Sequence, residues 1–464
     1  MENNKVDAYH SKKNMLSYNF GSLGREFSAM AFAILVFFYY EVEIGLNVWL
    51  IGLGLVLFAV YNAINDPLVG YLTNRPFKFT KKWGRRLPWM LLGGLPLGFS
   101  YFLIFIPPRV DPKSGAWIIF AWLVFTTCLF DTFHSIFFVA YQSLFPDKFR
   151  SLKERRTVMG FQVILGAIGV ALGSILPPLL INFGDMESYI FQGFVVFLLT
   201  LIFFIIAIPG WREDQEMIDQ YLATAQEKVE RESFIKTMKL AFKQKSFVAY
   251  VVLYTMYFAM INSMQNSLIY FVRFILKLPA GATAPIMAGF LLGAMISTPF
   301  WIKWAQKTND NRKIMLIASI LLGIFVLPLA FIEDYLLIVI ILIIWGLALG
   351  GFWAMIFPTF SDVIDESIVL HEKREEGTYI GIQQFFGRLG LIIQVMSFAI
   401  IHSLTGFVEG SDTQTPLALW GIHIHTAIIP MVCIFIGAFV FWKWYDLKPE
   451  KVIENQKKIK ELKL

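Results

Sequence analysis

Twelve long apolar stretches, each long enough to cross a lipid bilayer, dominate this sequence. They cover residues 15–40, 44–71, 87–108, 116–145, 157–183, 189–209, 247–272, 278–302, 314–332, 335–360, 378–407 and 416–442. A membrane-spanning helix needs about 20 mostly apolar residues. Strands are excluded because an open sheet edge cannot satisfy its backbone groups in hydrocarbon. We therefore expect an all-α membrane protein with twelve transmembrane helices.

The composition agrees with that class, and the motifs of common enzymes are not evident. Of 464 residues, 57% are apolar and 16% are charged, whereas soluble domains have about 45–50% and about 25%. Cys128 and Cys433 both lie inside apolar runs, so neither a disulfide framework nor a cysteine metal site is indicated. The sequence contains no P-loop, HExxH or nucleophile elbow. We expect no cofactor and no enzymatic activity.

Basic residues predict how the chain is oriented in the membrane. The odd-numbered connections contain only Arg109, Lys113, Arg273 and Lys277, and most other basic residues lie in the terminal tails and the even-numbered connections. Because cytoplasmic loops carry an excess of Lys and Arg, both termini should be cytoplasmic in a multi-pass protein of the cell membrane. The net charge of +6 suits an anionic inner leaflet and requires no nucleic-acid partner.

One long hydrophilic segment divides the chain. Residues 211–246 form a predicted cytoplasmic linker between six helices in 1–210 and six in 247–445, and a cytoplasmic tail follows at 446–464. Its charged residues (Glu216, Asp219, Glu227, Lys228, Glu230 and Arg231) are typical of a surface helix. Two six-helix bundles are the layout of many secondary transporters, whose substrate site lies between the bundles. We expect a monomer in the lipid bilayer with a small-molecule substrate.

Three polar residues cluster on the second predicted helix. Asn62 and Asp66 are four residues apart and share a helical face, with Asn65 beside them. An ionisable residue at the centre of a spanning helix costs at least ~2.5–3.5 kcal/mol, so it is a candidate for function. These oxygens could hold a proton or a small hard cation, such as sodium at Asp66. Alternatively, Asp66 caps its helix or pairs with the basic loop that follows.

A carboxylate and an imidazole lie close together on the fourth predicted helix. Asp131 and His134 are three residues apart, and such a pair can share or relay a proton because histidine titrates near neutrality. The alternative is a structural hydrogen-bonded pair.

Two further spans carry charges. Arg25 and Glu26 are adjacent on the first helix, so we expect them to face different ways, with Glu26 towards a cavity and Arg25 paired with the opposite half. Arg388 lies in the middle of the eleventh helix. Its guanidinium could bind a hydroxylated or anionic ligand, or it could form an ion pair between the halves.

Other polar and small residues in the spans have structural interpretations. His423 and His425 lie near one end of the last span, and we interpret them as interfacial residues. Glycines at packing intervals favour close helix contacts over ligand sites; they are Gly166, Gly169, Gly173, Gly289, Gly293, Gly346 and Gly350.

Several short motifs resemble those of one transporter family. They are Tyr18-Asn-Phe-Gly-Ser-Leu-Gly-Arg-Glu26, Asn65-Asp-Pro-Leu-Val-Gly70, Trp83-Gly-Arg-Arg-Leu-Pro-Trp89, Ser143-Leu-Phe-Pro146, Ser361-Asp-Val-Ile-Asp365, Arg374-Glu-Glu-Gly377, Phe386-Gly-Arg-Leu-Gly390 and Trp444-Tyr-Asp-Leu-Lys-Pro-Glu450. Together they resemble the glycoside–pentoside–hexuronide:cation symporters of the major facilitator superfamily. That resemblance implies two six-helix bundles and alternating access. The stretch 84–104 is also similar to the branch of sodium-coupled lysophosphatidylcholine symporters.

The resemblance also implies roles for individual residues. Glu26 falls on a substrate-binding acid of the first helix, and Asp66 on one of two cation-binding acids of the second. Asn65 falls on an asparagine of that cation site. Arg388 falls on a lysine that links the sugar and cation sites.

This sequence departs from the family pattern at four positions. Asn62 replaces the other cation-binding acid of the second helix, and Phe138 replaces the sugar-binding acid of the fourth. Gln142 stands where the family has a tryptophan, and Gln162 is the nearest match to an arginine of the fifth helix.

These observations predict a cation-coupled symporter of a small polar solute, such as a glycoside or another carbohydrate derivative. We expect the substrate at Glu26, Arg25, Gln142, Gln162 and Arg388. The coupling ion is a proton or sodium, and a replacement for the missing acids is possible at Asp131, which lies seven residues before Phe138 on the same helical face with His134 between them. Proton coupling through Asp66, Asp131 and His134 is our hypothesis. The alternatives are transport of an amphipathic lysolipid and a non-transporting receptor or scaffold.

Overall fold

A computed structural model describes residues 10–73, 80–149, 151–215, 218, 238, 240–372 and 376–461. In this part of the chain, twelve helices are long and apolar enough to cross a membrane, and no strand occurs. The expected all-α membrane fold is therefore confirmed. The first six helices are α1 (Lys12–Phe38), α2 (Val48–Thr73), α3 (Leu87–Ile104), α4 (Ala116–Lys148), α5 (Leu152–Leu180) and α6 (Met186–Trp211).

The remaining helices come after the predicted linker. They are α7 (Lys245–Tyr270), α8 (Thr283–Thr308), α9 (Asn311–Val326), α10 (Tyr335–His371), α11 (Glu376–Thr405), α12 (Pro416–Trp444) and the tail helix α13 (Pro449–Glu461). Helix α10 continues well past residue 360, where its apolar run ends, because its polar end packs against α13 and other elements. The charged middle of the linker lies outside the described residues.

The chain divides into two compact units, Met1–Val229 and Glu230–Leu464. The boundary falls inside the predicted linker 211–246. In the first unit, α1 packs against α5 and α6, α3 packs against α4 and α6, and α2 packs against α4. In the second unit, α8 packs against α10, α7 packs against α11 and α12, and α9 packs against α10 and α12.

Glycines bring helix backbones together in both units, as the sequence predicted. A Cβ at Gly173 of α5 would lie 2.4 Å from the carbonyl oxygen of Phe27 on α1. A Cβ at Gly346 of α10 would lie 2.2 Å from the carbonyl oxygen of Phe290 on α8. Any side chain at these positions must push the paired helices apart, so the glycines are packing residues.

Helices α1 and α7, the first of each unit, end in the same way. Both continue into a five-residue π-helix, Tyr39–Glu43 after α1 and Phe271–Ile275 after α7. A residue in the left-handed region follows at the same distance from each, Gly45 at φ 79° and Lys277 at φ 54°. The next amide donates six residues back in both cases, to Tyr40 at 2.9 Å and to Val272 at 3.1 Å. The two units thus share the same backbone conformation at the end of their first helix, although the side chains there differ.

Candidate functional site

The contact between α2 and α4 contains a buried carboxylate held by two amides. Asp131 of α4 is 4% exposed. One of its oxygens accepts a hydrogen bond from the Nδ2 of Asn62, and the other accepts from the Nδ2 of Asn65 at 3.2 Å. Both asparagines are buried on α2. Two N–H donors offset much of the cost of burying a charge among helices.

A second carboxylate on α2 lies beside the first. The Oδ1 of Asp66 accepts a hydrogen bond of 2.5 Å from the hydroxyl of Ser135, one turn beyond Asp131 on α4. The Oδ1 of Asn62 is buried and has no hydrogen-bond partner among the described atoms. The structure thus brings together the polar residues that the sequence singled out on α2 and one of the two on α4. We call Asn62, Asn65, Asp66, Asp131 and Ser135 the acid–amide cluster.

This acid–amide cluster brings carboxylate, amide and hydroxyl oxygens to one place. Carboxylate and amide oxygens are the ligands of small hard cations, and the buried oxygen of Asn62 is available as an acceptor. In the described part of the chain, no group of three His, Cys, Asp or Glu side chains is arranged to hold a metal ion. Sequence reasoning missed Ser135, since one hydroxyl on an apolar helix gives no distinctive signal.

His134 takes part in a row of aromatic rings along α4. Its imidazole lies 6.3 Å from the ring of Phe130 and 6.0 Å from the ring of Phe138, nearly parallel to both. These residues are four apart, so they share one face of the helix. Proton relay between Asp131 and His134 stays a prediction.

Arg25 and Glu26 of α1 form an ion pair with each other. The expectation that these neighbours face apart was wrong, because long side chains can bend towards each other from adjacent positions. The guanidinium lies 4.6 Å from the ring centroid of Phe138, and the pair is partly exposed, at 19% and 29%. Gly169 of α5 makes room for Glu26, because a Cβ at position 169 would lie 3.0 Å from the Cβ of Glu26.

The other residues assigned to the substrate are more dispersed. Gln142 is exposed on α4, one turn beyond Phe138, and Gln162 is half-buried on α5. Arg388 is half-buried on α11 of the second unit. Their roles in binding stay predictions.

The Trp-Gly-Arg-Arg motif has a structural explanation that the sequence did not give. The carboxylate of Glu213, just beyond α6, accepts hydrogen bonds from the backbone amides of Arg85, Arg86 and Leu87 at 3.0, 2.5 and 3.1 Å. It therefore caps the start of α3, where amides lack partners within the helix. Gly84 has a φ of 86°, and a Cβ there would lie 2.6 Å from the Glu213 Oε1. The motif thus requires glycine for both backbone conformation and space.

The far end of α10 carries another buried acid that sequence reasoning missed. Glu366 accepts hydrogen bonds from Gln244 at 2.7 Å, from Ser246, and from Lys451 of α13 at 2.6 Å. Partial burial acts to lower the pKa of Lys451, but the carboxylates of Glu366 and Asp446 outweigh it and raise that pKa. This carboxylate therefore joins the tail helix to α10 and the start of α7.

The histidines of α12 are not surface residues. His425 is fully buried, and His423 is 6% exposed. The Nε2 of His425 lies 3.0 Å from the Nε2 of His402 on α11. Both histidines are therefore enclosed by the second unit, and their position near a membrane face stays a prediction. Hydropathy indicates where a residue lies along a span, but it does not fix which way the side chain points.

Comparison with known proteins places the whole chain among membrane transporters. Residues 17–448 match the family described as MFS/sugar transport protein. The chain is 22% identical over 449 residues to the inner membrane symporter YicJ of Escherichia coli, covering 94% of this chain and 92% of that protein. It is 23% identical over 453 residues to the putative glycoside/cation symporter YagG of Escherichia coli, covering 95% and 93%.

Similarity extends to another kind of symporter and to a solved structure. The chain is 20% identical over 444 residues to the sodium-dependent lysophosphatidylcholine symporter 1 of Gallus gallus, covering 87% of this chain and 80% of that one. The crystal structure of the nucleoside transporter NupG superimposes with a TM-score of 0.63 at 12% identity, covering 94% of this chain and 100% of that one. The expected major facilitator fold is therefore confirmed.

Proposed function

We propose that this chain, which belongs to the MFS/sugar transport protein family and is a membrane symporter rather than an enzyme, binds its coupling cation in the acid–amide cluster. In that proposal Asp66 and Asp131 supply the negative charge. Asn62 supplies a neutral oxygen, and Ser135 and Asn65 orient the two carboxylates.

The observation that carries this proposal is the pairing of Asp131 with Asn62 across two helices. The resemblance implies two cation-binding acids on the second helix, and this sequence has lost one of them to Asn62. Asp131 of α4 supplies a carboxylate next to Asn62, where the missing acid would lie. The cluster therefore keeps two acids, and the charge needed to hold a monovalent cation is restored.

The cluster favours sodium over a proton as the coupling ion. A proton needs only one carboxylate oxygen, whereas a sodium ion needs several oxygen ligands from different groups. The buried Oδ1 of Asn62, which has no hydrogen-bond partner in the described structure, would otherwise carry the cost of an unsatisfied acceptor. Coordination of a cation removes that cost.

For the substrate, we propose a glycoside or a related polar solute. The ion pair of Arg25 and Glu26 offers donors and an acceptor suited to sugar hydroxyls. Phe138, whose ring lies against the Arg25 guanidinium, adds an apolar wall beside this ion pair. The names of two relatives, a glycoside/cation symporter and a lysophosphatidylcholine symporter, define the two substrate classes to compare.

The purified protein in proteoliposomes tests both parts. Radiolabelled glycosides and lysophospholipids are offered with an inward sodium gradient, with a proton gradient, or with neither. We expect glycoside uptake driven by sodium. Uptake of lysophospholipid alone would overturn the substrate assignment, and uptake driven only by protons would overturn the choice of ion.

A relocation of charge tests the site itself. Asp131→Asn should abolish sodium-driven uptake, and the double variant Asn62→Asp with Asp131→Asn should restore part of it by returning the acid to α2. Asp111→Asn, in the exposed loop before α4, is the matched control and should transport normally. Full uptake by Asp131→Asn would contradict the proposed site.

We also propose that both termini lie in the cytoplasm, because basic residues concentrate in the tails and the even-numbered connections. Single cysteines at positions 113 and 313, in a variant without Cys128 and Cys433, test this. A membrane-impermeant maleimide added to whole cells should label position 113 and spare position 313. The reverse pattern would contradict the orientation.

A further inference from the structure

We infer that a groove between α9 and α12 of the second unit binds an anionic phospholipid of the bilayer, with an acyl chain in the groove and the headgroup at two lysines. We call it the α9–α12 groove. It has a volume of about 400 Å³ and is lined by Leu316, Ile320, Phe435, Ala438, Phe439 and Trp442. None of these residues belongs to the acid–amide cluster, so the inference is independent of the cation site proposed above.

The large side chains that line the groove follow one face of each helix. Leu316 and Ile320 are four residues apart on α9, and Phe435, Phe439 and Trp442 are separated by four and three residues on α12. Residues at these spacings are neighbours on a helix surface, so each set forms a continuous apolar stripe. On the α12 side, Phe439 and Trp442 are 57% and 56% exposed. The groove is therefore open to a ligand from the lipid phase.

Two small residues give the groove its depth and its closed end. Ala438 is 4% exposed and contributes only a methyl group to the lining. At Gly323 of α9, a Cβ would lie 2.5 Å from the Cε1 of Phe435, so that ring packs directly against the α9 backbone. From Phe435 to Trp442 the groove extends about 10 Å along α12, whereas the hydrocarbon of one leaflet is about 15 Å thick. The groove thus fits most of one acyl chain.

The other end of the groove lies where α9 begins and α12 ends. Arg312 of α9 donates from Nε to the carbonyl oxygen of Tyr445 at 2.7 Å and from Nη2 to the carbonyl oxygen of Trp442 at 2.9 Å. Carbonyls at the end of a helix lack partners within it, and a cation there is favoured by the helix dipole. The guanidinium therefore joins the two helix ends, and these carbonyls engage its hydrogen-bond donors.

Two lysines at this end are available to an external anion. Lys313 precedes Leu316 by three residues, and Lys443 follows Phe439 by four, so each continues the stripe of its helix beyond the apolar residues. Both side chains are exposed. Within the described residues, neither ammonium group forms an ion pair.

The acids near this end are engaged by other groups. Asp446 pairs with Lys451 of α13 at 2.9 Å. Asp310 accepts a hydrogen bond of 2.8 Å from the backbone amide of Lys313 and so caps α9. In the described structure, the positive charges of Lys313 and Lys443 are therefore not neutralised by direct contact with a carboxylate.

Trp442 indicates where the membrane surface crosses the groove. Tryptophan is enriched at the level where hydrocarbon meets the headgroups, and the ring of Phe439 lies 6.2 Å from that of Trp442 on the hydrocarbon side. The apolar stripes below this level require an acyl chain, and the lysines above it favour an anion. A phospholipid with a negative headgroup supplies both. Such lipids are concentrated in the cytoplasmic leaflet, where we propose that this end of the bundle lies.

Tryptophan fluorescence in nanodiscs tests the groove. The discs contain phosphatidylcholine with a minor fraction of phosphatidylglycerol, and bromine is placed near the carbonyl ends of the acyl chains of one lipid or the other at equal mole fraction. Bromine quenches only nearby indoles. The chain has 13 tryptophans, so the signal of Trp442 is the difference between wild type and Trp442→Phe. The two lysines should give the site a preference for phosphatidylglycerol of roughly 10- to 30-fold.

Trp420 is the matched control within the same helix. It is 49% exposed near the other end of α12, far from the two lysines. Its signal, obtained from Trp420→Phe, should be quenched equally by the two brominated lipids. Equal quenching of Trp442 by both lipids in the wild-type protein would overturn the inference.

A double substitution tests the lysines. Lys313→Gln with Lys443→Gln should remove most of the preference for phosphatidylglycerol at Trp442. The control is Lys303→Gln with Lys307→Gln, which changes the charge equally at exposed positions near the end of α8 outside the groove, and it should keep the preference. A preference that persists in the first variant would contradict the headgroup contact.

A competitor without acyl chains tests the apolar part. Glycerol phosphate carries the anionic group but has nothing to place in the groove, so it should leave the quenching of Trp442 by brominated phosphatidylglycerol unchanged. Displacement of the lipid by glycerol phosphate would show a plain anion site and overturn the inference. Since no transport is measured, this result is separate from the outcome at the proposed sodium site.

Discussion

The two units use the same kind of scaffold but bury different chemistry. In the first unit, carboxylates lie between α2 and α4 and are bonded to amides and a hydroxyl. In the second unit, two imidazoles lie among α7, α11 and α12; that of His425 is bonded to a hydroxyl, and aromatic rings stack on both. Each cluster has the surroundings that its own ionisable groups require.

The difference arises from the neutral forms of the two groups. A carboxylate that functions as an anion must be offset by donors or a cation wherever it is buried. An imidazole is already neutral at physiological pH, so apolar rings can enclose it at little cost. The first cluster therefore needs donors or a cation to offset its charge, whereas neutral imidazoles in the second can be enclosed by aromatic rings.

The largest effect should come from removing an acid of the first cluster. Asp66→Asn removes one of the two charges proposed to hold the cation, and losing one partner of a buried ion pair costs about 3–5 kcal/mol. Sodium affinity should fall by roughly 100-fold or more, as measured by calorimetric titration in detergent. His425→Gln should leave that affinity within about twofold. Equal losses in both variants would remove the distinction between the clusters.

The next largest effect should be the same in both units. Gly346→Ala and Gly173→Ala each place a methyl group against a backbone carbonyl, at 2.2 and 2.4 Å before relaxation. Overpacking of this kind costs about 1–3 kcal/mol, and the melting temperature of the purified protein should fall in both.

Gly160→Ala is the matched control for that pair. A Cβ at position 160 meets no atom within 4 Å, so alanine should raise helix stability by about 0.5–1 kcal/mol. A rise in melting temperature for Gly346→Ala would contradict the close packing of α8 and α10.

A smaller loss should result from Ser135→Ala. This change removes one hydrogen bond to the Asp66 carboxylate and keeps both acids, and a hydrogen bond to a charged group contributes about 1.5–3 kcal/mol. Sodium affinity should fall by roughly tenfold, less than in Asp66→Asn. Ser135→Thr keeps the hydroxyl and should restore most of it. An unchanged affinity in Ser135→Ala would mean that the hydroxyl does not orient the acid.

The smallest effect should be opposite in sign at the ends of α1 and α7. Lys277 has a φ of 54°, which costs a residue with a Cβ roughly 1–2 kcal/mol, so Lys277→Gly should raise the melting temperature slightly. Gly45→Ala places a Cβ at the equivalent position of the first unit and should lower it by a similar amount. Opposite signs are the expected outcome, and two changes of the same sign would contradict the shared backbone geometry.

Much of the fold could be predicted because bilayer thickness imposes a length on every apolar run. The first and last residues of the helices were less predictable, because local hydrogen bonding can extend a helix beyond its apolar run. Helix α10 extends to His371 because buried Glu366 has hydrogen-bond partners there. Counting apolar residues along the sequence does not predict this extension. A π-helix adds a residue to a turn and so rotates the next part of the helix by roughly 100°. The π-helix Ile424–Ile428 therefore changes which residues after it face the bundle, and apolar spacing gives no sign of it.

The candidate site was only partly predictable for a related reason. Asn62, Asp66 and Asp131 were evident as polar residues in costly positions. Their partners depend on how α2 and α4 face each other, which one sequence does not specify. The bond from Ser135 to Asp66 and the ion pair of Arg25 with Glu26 needed coordinates, because each depends on side-chain rotamers rather than on spacing.

The matching ends of α1 and α7 bear on the ancestry of the chain. A π-helix, a left-handed residue and a long backbone hydrogen bond recur 232 positions apart, at 39–46 and 271–278. The two segments share this backbone geometry although their side chains differ at all but the last position. Such a pair is the trace that duplication of a single six-helix ancestor would leave behind. It provides a fixed point from which the two halves can be aligned residue by residue.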